Sequence, residues 1–193
     1  IPITRVENAC ATATDAFRNA CYAVAAGIYD IALAVGVEKL KDSGFSGLAI
    51  PESPGSDVNP PTPPPAQFAM AATRYFHQYG IPYEQGKRTL AQIAQKNHHN
   101  GSLNPRAHFQ REISIDQVVD APMIAWPLGL FDCCGVSDGA AAAIITTPEI
   151  AKTFRQDYIL VKGLGLSVGA FGMLRDDWDF THFPESVHAS QAA

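Results

Sequence analysis

No run of the 193 residues stays apolar for the roughly 18–20 positions of a membrane-spanning helix, and no positively charged leader precedes an apolar segment. No membrane association is expected, and the cytoplasm is the expected compartment. Positive charge is not in excess either. Lysine and arginine number 14 against 19 aspartates and glutamates, a formal net charge of −5 that offers no basic footprint for nucleic acid. Cysteine is scarce: Cys10, Cys21, Cys133 and Cys134 show neither metal-ligand spacing nor the pattern of a secreted disulfide framework. What is present is apolar mass. A composition 47% hydrophobic and 17% charged supplies one core of ordinary size and excludes a disordered chain.

The chain is organised around Glu7-Asn8-Ala9-Cys10-Ala11-Thr12-Ala13-Thr14-Asp15, which puts a cysteine at the start of a long helix. From Ala9 to Ile28 the only charges are Asp15 and Arg18. Spacings of three and four set Phe17, Cys21, Val24 and Ile28 on one stripe, and the many alanines leave the other faces thin enough for close packing, so the helix is expected to be buried. Gly27 fits its stop. Asp30 to Val37 then reads as an apolar strand covered on both faces in an α/β sheet. A thiol at such a helix start has a chemical use, because unpaired backbone N–H groups and the helix dipole favour the nucleophilic thiolate. The plainer reading is a cysteine used as a small apolar filler.

Glu7-Asn8-Ala9-Cys10-Ala11-Thr12, the alanine-rich helix, and then Ala34-Val35-Gly36-Val37-Glu38-Lys39-Leu40 resemble the nucleophile region of the thiolases. The ending looks most like the sterol-carrier-protein-type and archaeal acetyl-CoA acetyltransferase branch. The resemblance implies that Cys10 is the acylated nucleophile. It also implies an α/β chain with a partial thiolase-like fold: a buried nucleophile helix and sheet strands of the first half, a mostly helical loop-domain insertion, and the first strand of the second half. On that reading residues 1–40 belong to the first half, 41–130 to the insertion, 131–156 to the return strand and helix, and 157–193 to the second half. With no methionine start and a small-residue end, the chain reads as an internal fragment of a longer protein.

Seven of the fourteen prolines lie between Pro51 and Pro65, where lost donors and fixed φ rule out a regular sheet element, so a loop excursion is expected. Helical patterning predicts one helix from Ala66 to Gly80 and another from about Tyr83 to Lys96, with Leu90, Ile93 and Ala94 inward and Lys87, Arg88, Gln92 and Gln95 facing solvent. Asn97 to Phe109 reads as a polar turn. Its His98, His99 and His108 lack the carboxylate or cysteine that would complete a metal site, and no metal is expected. Asn97-His98 followed by Asn104-Pro105 is similar to the thiolase loop-domain pattern bordering the acyl-CoA site. Ser114 caps a short helix ending before Pro122. Ser137-Asp138-Gly139 and the following alanines look like the thiolase strand that returns to the first sheet; small side chains there let two layers approach closely. Pro148 to Phe154 reads as a short helix and Tyr158 to Ser167 as a strand.

Thiolysis or Claisen condensation needs a thiolate, a base and donors for the developing oxyanions. The resemblance places the base in the second half, and none of His77, His98, His99, His108, His182 or His188 sits in a matching motif. It implies coenzyme A or an acyl-CoA as substrate rather than a permanently bound cofactor, a homodimer, and a place for a small acyl-CoA-binding partner subunit. Lys87, Arg88, Lys96 and Arg106 are candidates for the CoA phosphates, against the plainer reading of a solvated helix face. Three functions stay open: an acetyl-CoA acetyltransferase, a CoA-linked side-chain aldolase on the same fold, and a non-catalytic thiolase-like scaffold.

Overall fold

A helix rich in alanine lies close to a sheet only if the sheet answers with small side chains, and the first of two units is built that way. The computed structural model describes residues 1–43, 63–169 and 178–193, so most of the proline-rich stretch lies outside the described residues. Within them the first unit takes residues 1–42, 138–169 and 183–193, and the second residues 43, 63–137 and 178–182.

In the first unit a 3-10 turn, Ala9–Ala11, leads into α1, Thr12–Ala25. Gly27 adopts φ 70° and ends α1: its N–H donates to the Val24 carbonyl at 3.0 Å and that of Ile28 to the Ala23 carbonyl at 3.0 Å. The chain reverses into β1, Ile31–Glu38, which pairs antiparallel with β4, Gly139–Thr146, in the register Leu33 opposite Ile144 and Ala34 opposite Ala143. Successive side chains alternate between faces. Ala32, Ala34, Gly36, Ala143 and the buried Ile145 share the face under α1, where a Cβ built on Gly36 would sit 3.9 Å from that of Ala13. The return strand with its alanines is therefore as expected.

Two expectations about coverage are corrected. The other face of the pair carries Ile31, Leu33, Val35, Val37 and Ile144, all exposed, because no helix among the described residues covers it. For the same reason α1 is covered along one side; Val24 is its buried residue, while Ile28 is exposed. The expected strand from Tyr158 to Ser167 has no ladder partner among the described residues. Instead Gly163, Gly165 and Gly169 lie against α6, Pro184–Ala192. Where the chain leaves and re-enters this unit, Asp138 accepts from the N–H of Lys41 at 2.7 Å and of Asp42 at 3.3 Å. The short helix α5, Pro148–Phe154, falls where expected and is capped by Thr147.

The second unit is helical, with α2 at Pro64–Gln78, α3 at Tyr83–Ser102 and α4 at Ile115–Val119. Gly80, at φ 60°, ends α2 by the same pattern as Gly27. Ser114 and Gln117 form a reciprocal capping box at the start of α4. The core gathers Ala91, Ala94, Ile113 and Val118, with Phe131 against it. A small hairpin, β2 at Met123–Ala125 and β3 at Leu128–Gly129, comes next. Two more corrections arise here. The helix does not stop at Lys96: Gly101 lets the returning chain come so close that a Cβ there would lie 2.9 Å from the Phe109 carbonyl oxygen, and this packing overrides the weak propensity of Asn100 and Gly101. Lys87 is not on the solvent face. It is 2% exposed and paired with Asp132, itself 4% exposed, so the buried side of α3 runs through Gly86, Lys87, Ala91 and Ala94.

Candidate active site

Cys10 lies in the 3-10 turn just ahead of α1, and it is exposed. The turn closes through the Ala11 N–H, which donates to the Asn8 carbonyl at 2.9 Å. Ala9, directly before the cysteine, adopts φ 44°, a left-handed backbone that alanine avoids. Around it stands Thr12, whose hydroxyl accepts the Asn8 N–H at 2.7 Å and donates to the Ala9 carbonyl at 2.7 Å. Further along, Asp15 Oδ1 accepts from Arg18 Nη2 at 2.7 Å and from its Nε at 3.2 Å, which ties up the two charges of the helix against each other. What this arrangement offers chemically is an accessible sulfur at a helix start, held on a constrained backbone.

The remaining sequence candidates belong to the second unit. Asn97 and His98 lie on the last turns of α3. His98 donates from Nδ1 to the Arg111 carbonyl at 3.2 Å, and its ring stacks on Phe109 and meets Phe131 edge-on, at centroid distances of 6.0 and 5.8 Å. His99 pairs with Glu112 at 2.9 Å, and His108, stacked on Phe109, reaches the Ser137 hydroxyl. Arg88 is exposed and bonded to Asp116 at 3.2 Å; Lys96 and Arg106 are exposed. Lys87, being buried against Asp132, presents no charge to solvent. Among the described residues no group of histidine, cysteine and carboxylates gathers as for a metal. Thr12 and Asp132 escaped sequence reasoning. Thr12 stood within the motif, but the bonds of its hydroxyl to Asn8 and Ala9 depend on the backbone of the turn, which no spacing announces.

The thiols differ in environment. Burial pushes the Cys21 thiol up; burial also pushes Cys133 up, helped by the charges of Asp132 and Cys134 and opposed by Lys87. Brief alkylation near neutral pH should therefore label the exposed Cys10 and Cys134 well before Cys21 and Cys133. Peptide mapping that finds Cys133 as fast as Cys134 would contradict this.

Residues 1–149 match the family described as thiolase, N-terminal domain. The chain belongs to the thiolase family. An acetyl-CoA acetyltransferase of Methanothermobacter thermautotrophicus is 36% identical over 195 residues, covering 100% of this chain and 50% of that protein. Sterol carrier protein 2 of Homo sapiens is 31% identical over 167 residues, covering 80% of this chain and 29% of that protein. Among solved structures, one chain of an Ltp2-ChsH2(DUF35) aldolase superposes with a TM-score of 0.72 at 25% identity, over 93% of this chain and 47% of that one. The chain thus spans half the length of that thiolase relative. The α/β fold, with its helical insertion between β1 and β4, agrees with this membership, as does the resemblance to the archaeal and sterol-carrier branch.

Proposed function

We propose that this chain carries the acyl-accepting part of a thiolase-type acyltransferase acting on acetyl-CoA or a 3-oxoacyl-CoA. The carrying observation is Cys10 in its constrained helix-start turn, inside the matched region and within a chain aligned end to end with an acetyl-CoA acetyltransferase. In condensation the Cys10 thiolate attacks the thioester carbonyl carbon of acetyl-CoA, a new C–S bond forms, the bond to the CoA sulfur breaks, and CoA leaves as its thiolate; in thiolysis it attacks the 3-oxo carbon of a 3-oxoacyl-CoA, the C2–C3 bond breaks, and the departing acetyl-CoA carbanion takes up a proton. The acyl group then passes to a second nucleophile: a CoA thiolate in thiolysis, or an acyl-CoA carbanion in condensation. Arg88, Lys96 and Arg106 are the cations offered to the CoA phosphates, and Asn97 and His98 are further substrate-binding candidates. A homodimer in the cytoplasm, a role in lipid metabolism, and a further acyl-CoA-binding subunit complete the reading. The subunit draws support from the two-component name of the aldolase neighbour.

Acetyl-CoA should place one acetyl group on the peptide bearing Cys10. The group should leave again on addition of free CoA and be missing in Cys10→Ala. Acetyl found on other cysteines, with Cys10 unmodified, would overturn the assignment. The aldolase neighbour supports a second reading, carbon–carbon cleavage of a CoA-linked side chain. It predicts that cleavage without any acetyl on Cys10.

A further inference from the structure

We infer that Thr12 is a positioning residue for Cys10, acting through the backbone of Ala9. This rests on the reading of Cys10 as the acyl carrier. A left-handed alanine persists only where its surroundings over-determine it, and here the Ala9 carbonyl is held twice from Thr12, by its backbone N–H and by its hydroxyl. Thr12 accepts the Asn8 N–H at 2.7 Å and donates its single proton to the Ala9 carbonyl at 2.7 Å; the Glu7 carboxylate, at 3.4 Å, is a longer second acceptor. The two bonds span the Asn8–Ala9 arc from its first N–H to its last C=O. The clamped carbonyl belongs to the peptide group that bears the Cys10 nitrogen, so fixing it fixes the direction from which the Cys10 side chain projects.

A threonine early in a helix commonly donates back to a carbonyl three or four residues earlier, and that bond alone would be unremarkable. The difference lies in the second bond. By accepting from Asn8 while donating to Ala9, the hydroxyl closes a ring around the strained residue, which valine, equal in shape, cannot do. Serine can. Comparing the two substitutions therefore separates the role of the hydroxyl from that of the side chain's volume.

The test uses Thr12→Val and Thr12→Ser in the protein carrying this chain, with two probes of Cys10: acetyl transfer from acetyl-CoA, which demands alignment, and iodoacetamide, which demands mainly access. Thr12→Val should slow acetyl transfer about ten- to a hundredfold while changing iodoacetamide labelling only about two- to threefold, since misplacing a reacting group costs rate through geometry. Thr12→Ser should restore most of the transfer rate. Slow labelling of Cys21, inward on α1, reports that the helix remains folded. If Thr12→Val exposes Cys21, the double variant Ala9→Gly/Thr12→Val decides: glycine accepts the left-handed φ unaided, so recovered transfer supports the inference and absent transfer overturns it. Wild-type transfer rates in a folded Thr12→Val would overturn the inference and leave Cys10 as the acyl carrier. A wild-type protein that takes no acetyl on Cys10 would overturn that reading, and the positioning role with it.

Discussion

Lys87→Ala should lower the stability of the second unit by about 3–5 kcal/mol, the usual consequence of leaving one member of a buried ion pair uncompensated. Lys87 is 2% exposed and Asp132 4%. Asp132 Oδ2 takes both the Lys87 ammonium and the Gly129 N–H, the latter at 2.7 Å, while Oδ1 is buried without a hydrogen-bond partner among the described residues. Remove the lysine and a carboxylate remains inside with one neutral donor. Solvent cannot screen it as it would a surface pair, whose loss typically costs about 0–1 kcal/mol. The Coulomb attraction itself is not the measure. In Lys87→Met with Asp132→Asn, both charges go, the Gly129 N–H keeps an acceptor, and most of the loss should return. Urea unfolding with an unchanged m-value reads both variants. A cost below about 1 kcal/mol for Lys87→Ala would mean that water reaches the pair.

That ion pair also marks where sequence reasoning stopped. Lys87 sits among Arg88, Gln92 and Gln95 and reads as one more solvated side chain; its partner lies 45 residues onward, past α4, β2 and β3. Nothing local announces the pairing. By contrast, the start of α4 is legible because Ser114 and Gln117 satisfy each other's backbone N–H groups within four residues, and the end of α1 because Gly27 alone there adopts φ 70° cheaply. The same divide runs through the site. The family motif made Cys10 legible as the nucleophile candidate, but the left-handed Ala9 and the two bonds of Thr12 depend on backbone angles that no spacing rule encodes. The extension of α3 to Ser102 was hidden for a related reason. Asn100 and Gly101 are poor helix formers, and what carries the helix through them is the approach of Phe109 from outside.

Gly165→Ala should melt α6 while leaving the rest of the first unit folded. A Cβ at Gly165 would fall on the Ala189 carbonyl oxygen, and one at Gly163 on that of Ala193. Both obstacles are backbone, which cannot turn aside as a rotamer can, so the helix itself must move. Two magnitudes set how far the damage spreads. Nine residues make a helix that is marginal in water without tertiary support, so a displaced α6 does not persist on its own. Yet α6 contributes no buried residue, so its departure withdraws little apolar burial from the sheet and α1. The expected result is accordingly a local one: amides from Ser186 to Ala192 lose their protection from hydrogen exchange, while the β1 and β4 amides keep theirs. Gly139→Ala, with no atom within 4 Å of the new Cβ, is the control and should change neither. If α6 amides in Gly165→Ala stay as protected as before, the close seat of the helix on Gly163 and Gly165 is wrong. If β1 and β4 lose protection together with α6, the helix is a structural member of the unit rather than an attachment to it.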